Sequence, residues 1–254
     1  MTKGNNNDNV IKMPQRPSPN TAEDFIMLAE KSDDDEEIMD LLRKAIEAAK
    51  QDLGQNWEAK YQGRGWEAVE TRPVMHAMAQ LATELRWDDQ LDEALSLCRR
   101  LLKLNPSDDQ GIRYDLAGCL YEAGQDDELE KLFAQYPDEV AAAFKYTRAL
   151  LYFRQDGASS RSAQALIEAF KCNIHVPVFL SDIVDLPQEL PDPIGIGDDS
   201  EAVAYAMEYC YLWADTEGAL EWMSDELAPK LRKTIADPEI ANDIINALKG
   251  VYED

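Results

Sequence analysis

Leu81-Ala82 and Leu116-Ala117 stand 35 residues apart, and Leu85 with Leu120 and Ala94 with Leu129 keep the same interval. A constant interval of this size, filled with apolar residues at helical spacing, constrains the chain more than any other feature. It fits consecutive antiparallel helix pairs that stack and bury a continuous core between neighbours. The small residues explain the register. An alanine in the middle of a helix lets the facing helix come close. Asn105-Pro106 ends the first unit, because proline cannot continue a helix and biases its predecessor out of the helical region. Twelve residues separate Ala94 from Pro106, and Ala165 stands equally far from Pro177, which places a third unit after the first two.

A period of about 34 residues with this pattern is that of tetratricopeptide repeats. The predicted fold is therefore all-α, a right-handed superhelical array of antiparallel helix hairpins. Residues 1–20 are rich in Asn and Pro and read as a disordered tail. Residues 21–254 read as one helical-repeat domain, with a repeat core over about 75–177 and a helical cap over about 200–251. Thr21 to Asp24 forms a capping box, and the run Asp33 to Glu37 suits the start of a second helix that Gly54 stops. Between Gln55 and Thr71, Trp57 and Trp66 are expected to plug the junction to the first full hairpin. Pro187, Pro191 and Pro193 mark a loop, which Ile183, Val184, Leu186, Leu190, Ile194 and Ile196 are expected to anchor. Two helices follow, near Ser200 to Ala214 and Glu217 to Leu227, with Thr216 as the cap of the second. Leu231, Ile235, Ile240, Ile244, Ile245 and Leu248 then seal the end.

Charge narrows the partners. With 25 Lys and Arg against 50 Asp and Glu the net charge is −25. Such a surface repels nucleic-acid phosphates and anionic membranes. Cys98, Cys119, Cys172 and Cys210 show no metal spacing, and no site for a metal or cofactor is expected. The cysteine usage suits a reducing compartment, and the N-terminus carries no apolar run of signal type, so a cytoplasmic location is expected.

Five stretches carry a family resemblance. They are Glu70-Thr71-Arg72-Pro73, the run Asn105 to Tyr114, Tyr146 to Leu150, Gly197 to Ala202, and Gly218 to Trp222. Their succession resembles a family of tetratricopeptide-like proteins found in many bacteria and related to the helical part of the eukaryotic suppressor-of-tumorigenicity family. The resemblance implies a helical repeat with a role in protein interaction and brings no catalytic residues. It covers about Ala22 to Trp222. Read from the residues alone, Asn105-Pro106 breaks a helix, Ser107 or Asp108 caps the next, and Gly111 allows close approach. Arg113 and Arg148 stand at the same place in their hairpins, 35 residues apart, and Arg72 precedes the first; the three fit either an internal ladder of ion pairs and carbonyl contacts or an anion-binding groove.

In the tetratricopeptide class the first helix of each pair lines the concave surface. That geometry predicts a partner-binding face from His76, Arg86, Tyr114, Tyr121, Tyr146, Phe153 and Arg154, suited to a peptide or protein segment. The lysine and asparagine clamp for a chaperone carboxylate is not visible. The expected function is a non-enzymatic interaction scaffold. The alternatives are an enzyme or regulatory subunit with an unrecognised site, or an acidic nucleic-acid mimic. A pocket enclosing a carboxylate of strongly raised pKa would favour the enzyme.

Overall fold

The computed structural model describes residues 19–250, so the expected N-terminal tail lies outside the described residues except for its last two. Among the described residues there are thirteen α-helices and no strand. The first pair is α1 (Ala22–Ala29) and α2 (Asp35–Leu53). Thr21 and Asp24 form the predicted reciprocal box. The Thr21 hydroxyl accepts from the Asp24 amide at 3.1 Å, and the Asp24 carboxylate accepts from the Thr21 amide at 3.2 Å. Asp34 caps α2 by accepting from the Glu37 amide at 2.9 Å.

A short helix, α3 (Trp57–Tyr61), and a single 3-10 turn over Val69–Thr71 bridge to the repeats. Trp57 is buried there and Trp66 is half-buried against the same core. Gly65 is glycine for a packing reason: a Cβ on it would lie 2.9 Å from the Met75 sulfur and 3.1 Å from the Leu104 carbonyl oxygen. Its amide donates to that same carbonyl at 2.8 Å.

Three hairpins follow: α4 (Arg72–Trp87) with α5 (Leu91–Leu104), α6 (Ile112–Glu122) with α7 (Asp126–Gln135), and α8 (Ala142–Asp156) with α9 (Ser160–Cys172). Each helix packs on the next, and α4, α6 and α8 also pack side by side. The residues that set the period are all buried, Leu81, Leu85, Leu116, Leu120, Ala94 and Leu129 among them. The array is thus a solenoid of the predicted kind. A short α10 (Val176–Leu180) leads to a loop, then to α11 (Asp199–Asp215), α12 (Ala219–Thr234) and α13 (Pro238–Leu248).

The corner between the first two hairpins explains its motif. The Asp108 carboxylate, buried, accepts from the amides of Ile112 at 2.7 Å and Arg113 at 3.1 Å, so it is the cap of α6. Gly111 takes a φ of 76°, a left-handed conformation that glycine adopts without penalty. Arg113 is tied to Asp108 and to Glu139, both at 2.8 Å. Arg148 pairs with Glu168 at 3.0 Å, and Arg72 donates to the Trp66 carbonyl at 3.0 Å. The recurring arginines are engaged internally, as the ladder reading has it.

Three expectations for the C-terminal part need correction. Ile183, Val184, Leu190, Ile194 and Ile196 are exposed, so they do not anchor the loop; only Leu186 packs on the core. Thr216 does not cap α12. Its hydroxyl donates to the Leu212 carbonyl at 2.7 Å, and Gly218, at φ 74°, precedes the helix instead. Finally, α12 runs past Leu227 to Thr234 with Pro229 inside it, and Ile240 stays exposed while Ile244, Ile245 and Leu248 are buried.

Candidate functional site

The face formed by α4, α6 and α8 exists, but it is covered. Helix α11 lies along it. Ala202, Tyr205, Ala206, Tyr209, Leu212 and Trp213 recur at three- and four-residue steps and are all buried. They face the first helix of every repeat. On α4, Arg86 donates to the Tyr211 hydroxyl at 2.8 Å. On α6, the Tyr114 carbonyl accepts from the Tyr209 hydroxyl at 3.3 Å, and the Tyr121 hydroxyl meets that of Thr216 at 2.6 Å. On α8, the Tyr146 ring lies 5.5 Å from Tyr205 and 6.4 Å from Trp213.

This arrangement corrects the expectation of an open recognition face. Tyr146 is 0% exposed, with its hydroxyl donating to the Asn173 carbonyl at 2.7 Å. Arg86 and Tyr121 are each 4% exposed. Tyr114 is half-buried, its hydroxyl held by Glu139 at 3.0 Å. Phe153 stacks on Trp222 of α12 at 4.5 Å between ring centres. Arg154 lies over the Tyr121 ring at 3.6 Å and donates to the Tyr121 carbonyl at 2.7 Å. Only His76 is exposed, and it stands apart from the other six. The physical reason is burial. Large aromatics on the inner face gain more from a permanent apolar cover than from solvent.

The electrostatic centre of the covered face is Arg86. Its Nε donates to Glu122 at 2.6 Å, and its guanidinium lies 5.0 Å from the centre of the Tyr209 ring. Its Nη1 makes no hydrogen bond, the nearest acid being Glu208 at 3.8 Å. Gly118 on α6 makes room for this group, since a Cβ there would lie 2.5 Å from the guanidinium carbon. Burial opposes the charge on Arg86, but the neighbouring Tyr209, Glu122 and Tyr211 outweigh it and hold the pKa up. Burial pushes the Asp115 carboxyl up to about 6, although Arg86 pulls it down. Glu208 is raised for the same first reason.

Asp115 is half-buried on α6, and the charges that act on its carboxyl are those of Arg86, Glu208 and Asp108. Glu84 is also raised, by burial and by Asp35. It lines a shallow cavity of about 320 Å³ with Gln80 and Thr83, and neither is a base. A cavity of about 500 Å³ at the end of α11 is bordered by Asp89, Glu122, Asp215 and Glu217, with Arg154 already paired to Asp126. No cluster of three or more His, Cys, Asp or Glu suited to a metal is found among the described residues. The four cysteines are free. The Cys98 thiol is pushed well up by its contact with Cys119 and by burial, which leaves it inert.

An apolar groove of about 500 Å³ opens between α1 and α4, and His76 is on its border. Ile26, Met27, Trp66, Val69 and Pro73 line it. Met27 and Val69 were missed in the sequence, because each sits just off the apolar stripe of its own segment. Their signal was a large apolar residue at a position where the helical period leaves it outward.

With this geometry in place, the relatives are informative. The tetratricopeptide repeat family matches residues 88–151, which run from the end of α4 through most of α8. A human protein described as suppressor of tumorigenicity 7 protein-like is 28% identical over 202 residues, 71% of this chain and 35% of the relative. Suppressor of tumorigenicity 7 protein from Macaca fascicularis is 28% identical over 225 residues, 80% of this chain and 42% of the relative. The mouse protein gives the same identity over 39% of its length. The chain therefore spans well under half of the curated relatives it matches. The class is that of tetratricopeptide-like helical-repeat proteins. This chain's sequence is similar, at 28% identity, to those of the suppressor of tumorigenicity 7 proteins. No helix among the described residues is long and apolar enough to cross a membrane.

Proposed function

We propose that this chain is a non-enzymatic interaction scaffold that binds a protein or peptide segment. The observation that supports this is the set of tetratricopeptide-type hairpins, a framework whose general use is the display of surfaces to other proteins. In this reading residues 21–254 work as one domain, with the repeat core over about 75–177 and the cap over about 200–251. Arg86, Tyr114, Tyr121, Tyr146, Phe153 and Arg154 serve the chain's own α11 and α12. Partner recognition then falls to the surfaces that α11 leaves open, His76 among them. The excess acidity disfavours nucleic acid and anionic lipid as partners. The test is affinity capture from the source cell, followed by reconstitution with the purified partner and calorimetry. A saturable one-to-one complex is the expected result. Recovery of no protein that binds in purified form overturns the reading.

A further inference from the structure

The groove between α1 and α4 differs from the other surface cavities in being mostly apolar while open. Val69 is 68% exposed and Met27 is 50% exposed, so among the described residues two large apolar side chains flank it uncovered. Its α1 side is acidic. Glu23 on α1 and Glu30 just after its last residue line it, both are exposed, and neither meets a cation among the described residues. They are seven residues apart, two helical turns, which separates them by about 10 Å along the axis. The one arginine of the lining, Arg72, lies on the α4 side, where it donates to the Trp66 carbonyl at 3.0 Å, and it forms no ion pair with either glutamate among the described residues.

We propose that this groove docks a protein segment carrying two or three apolar anchors between a pair of Lys or Arg residues about 10 Å apart. The proposal rests on the scaffold reading and specifies its surface and the chemistry of the partner. Apolar side chains of the segment would cover Met27, Val69 and the Trp66 ring. The flanking cations would pair with Glu23 and Glu30. The overall charge of −25 would draw such a segment in and repel acidic ones. Because pairing at the edge is exposed, affinity should fall as salt rises.

The probe is a synthetic amphipathic helix of about four turns, with leucine anchors at i, i+3 and i+4 and lysines at i−1 and i+6, about 10 Å apart. A second peptide carries glutamate in place of each lysine. Binding to the full chain is read by fluorescence anisotropy at low and high salt. The lysine peptide should saturate, and the glutamate peptide should not bind. Val69→Asp and Met27→Asp alter exposed side chains, so the fold persists. Each adds negative charge yet should weaken binding at least tenfold. Glu23→Gln with Glu30→Gln should flatten the salt dependence. Equal binding to Val69→Asp would mean attraction by net charge alone and would overturn the proposal. So would binding that tightens when residues 1–18 are deleted, because the chain's own N-terminal segment would then be the occupant. A drop in mass by light scattering on Val69→Asp would assign the groove to a second copy, with the same consequence. A captured partner that binds wild type and Val69→Asp alike sinks the groove and leaves the scaffold reading standing.

Discussion

Arg86 of α4 and Glu122 of α6 meet at 2.6 Å beneath α11, with the arginine side chain 1% and the glutamate side chain 15% exposed. Removing one member of a pair so placed leaves the other largely desolvated and without its counter-charge. Glu122 also accepts from the Tyr211 hydroxyl, so α11 shares the same carboxylate. Arg86→Met should therefore leave Glu122, Glu208 and Asp115 facing one another without a cation. The expected loss is about 3 to 5 kcal/mol, read as a lower urea midpoint with the slope unchanged. A smaller loss than 1 kcal/mol would mean that the acids find other partners.

Gly118 gives a test of the same seam from the opposite helix. Alanine is the better helix former by about 1 kcal/mol. Here its Cβ would be driven into the guanidinium of Arg86, which Glu122 and Tyr211 hold in place. Gly118→Ala should thus destabilise the wild type by about 1 to 3 kcal/mol. In the Arg86→Met background the penalty should shrink or change sign. The coupling from the double-mutant cycle is the measurement.

Asp115 sets a pH dependence whose sign can be worked out. Its pKa rises from 3.8 in the unfolded chain to about 6 in the fold, first because of burial. The folded state then holds the proton more tightly, so this group favours folding at low pH and withdraws that support as pH climbs from about 4 to 6. Asp115→Asn should be more stable than wild type above pH 6, by roughly 1 to 3 kcal/mol. The advantage should vanish below pH 4. Thermal melts of the pair across that window decide it, and a gain that persists at pH 3.5 would point to packing and not to charge.

Ala94 sits at 0% exposure where α5 meets α4. Ala94→Trp has no space to occupy and should cost about 1 to 3 kcal/mol or more. Circular dichroism should show the helical signal retained with a lowered melting temperature. An unchanged melting temperature would mean that the small residue does not set the spacing of the pair.

The hairpins were legible because each repeats the same local requirement: a small residue at the crossing, leucines one turn on, and a breaker at the corner. Ala82, Leu85 and Pro106 state it, and Ala117 and Leu120 repeat its first two parts. The motif around Asp108 was legible for the same reason, since capping is local. The place of α11 was not. Ala202, Ala206, Tyr209 and Trp213 announce a buried stripe, yet nothing in them names the surface 60 to 120 residues away that buries it. Class geometry then assigned Tyr121 and Tyr146 to an open groove. The loop prolines hid a related error. Ile194 and Ile196 are apolar enough to anchor a crossing, but the backbone turns them outward. The α1–α4 groove escaped because its lining comes from three separate segments.

The covering of α4, α6 and α8 by one helix also changes how the array comes apart. An ordinary stack of hairpins touches only its neighbours, so it frays from its ends and its cooperativity weakens with length. Here Arg86 reaches Tyr211 and Tyr121 reaches Thr216, contacts spanning 125 and 95 positions of the chain. Each ties a different hairpin to α11 or to the residue that follows it. Losing α11 removes the inner wall of all three at once, so the hairpins should melt as one unit, and the closure of those long loops should slow their formation.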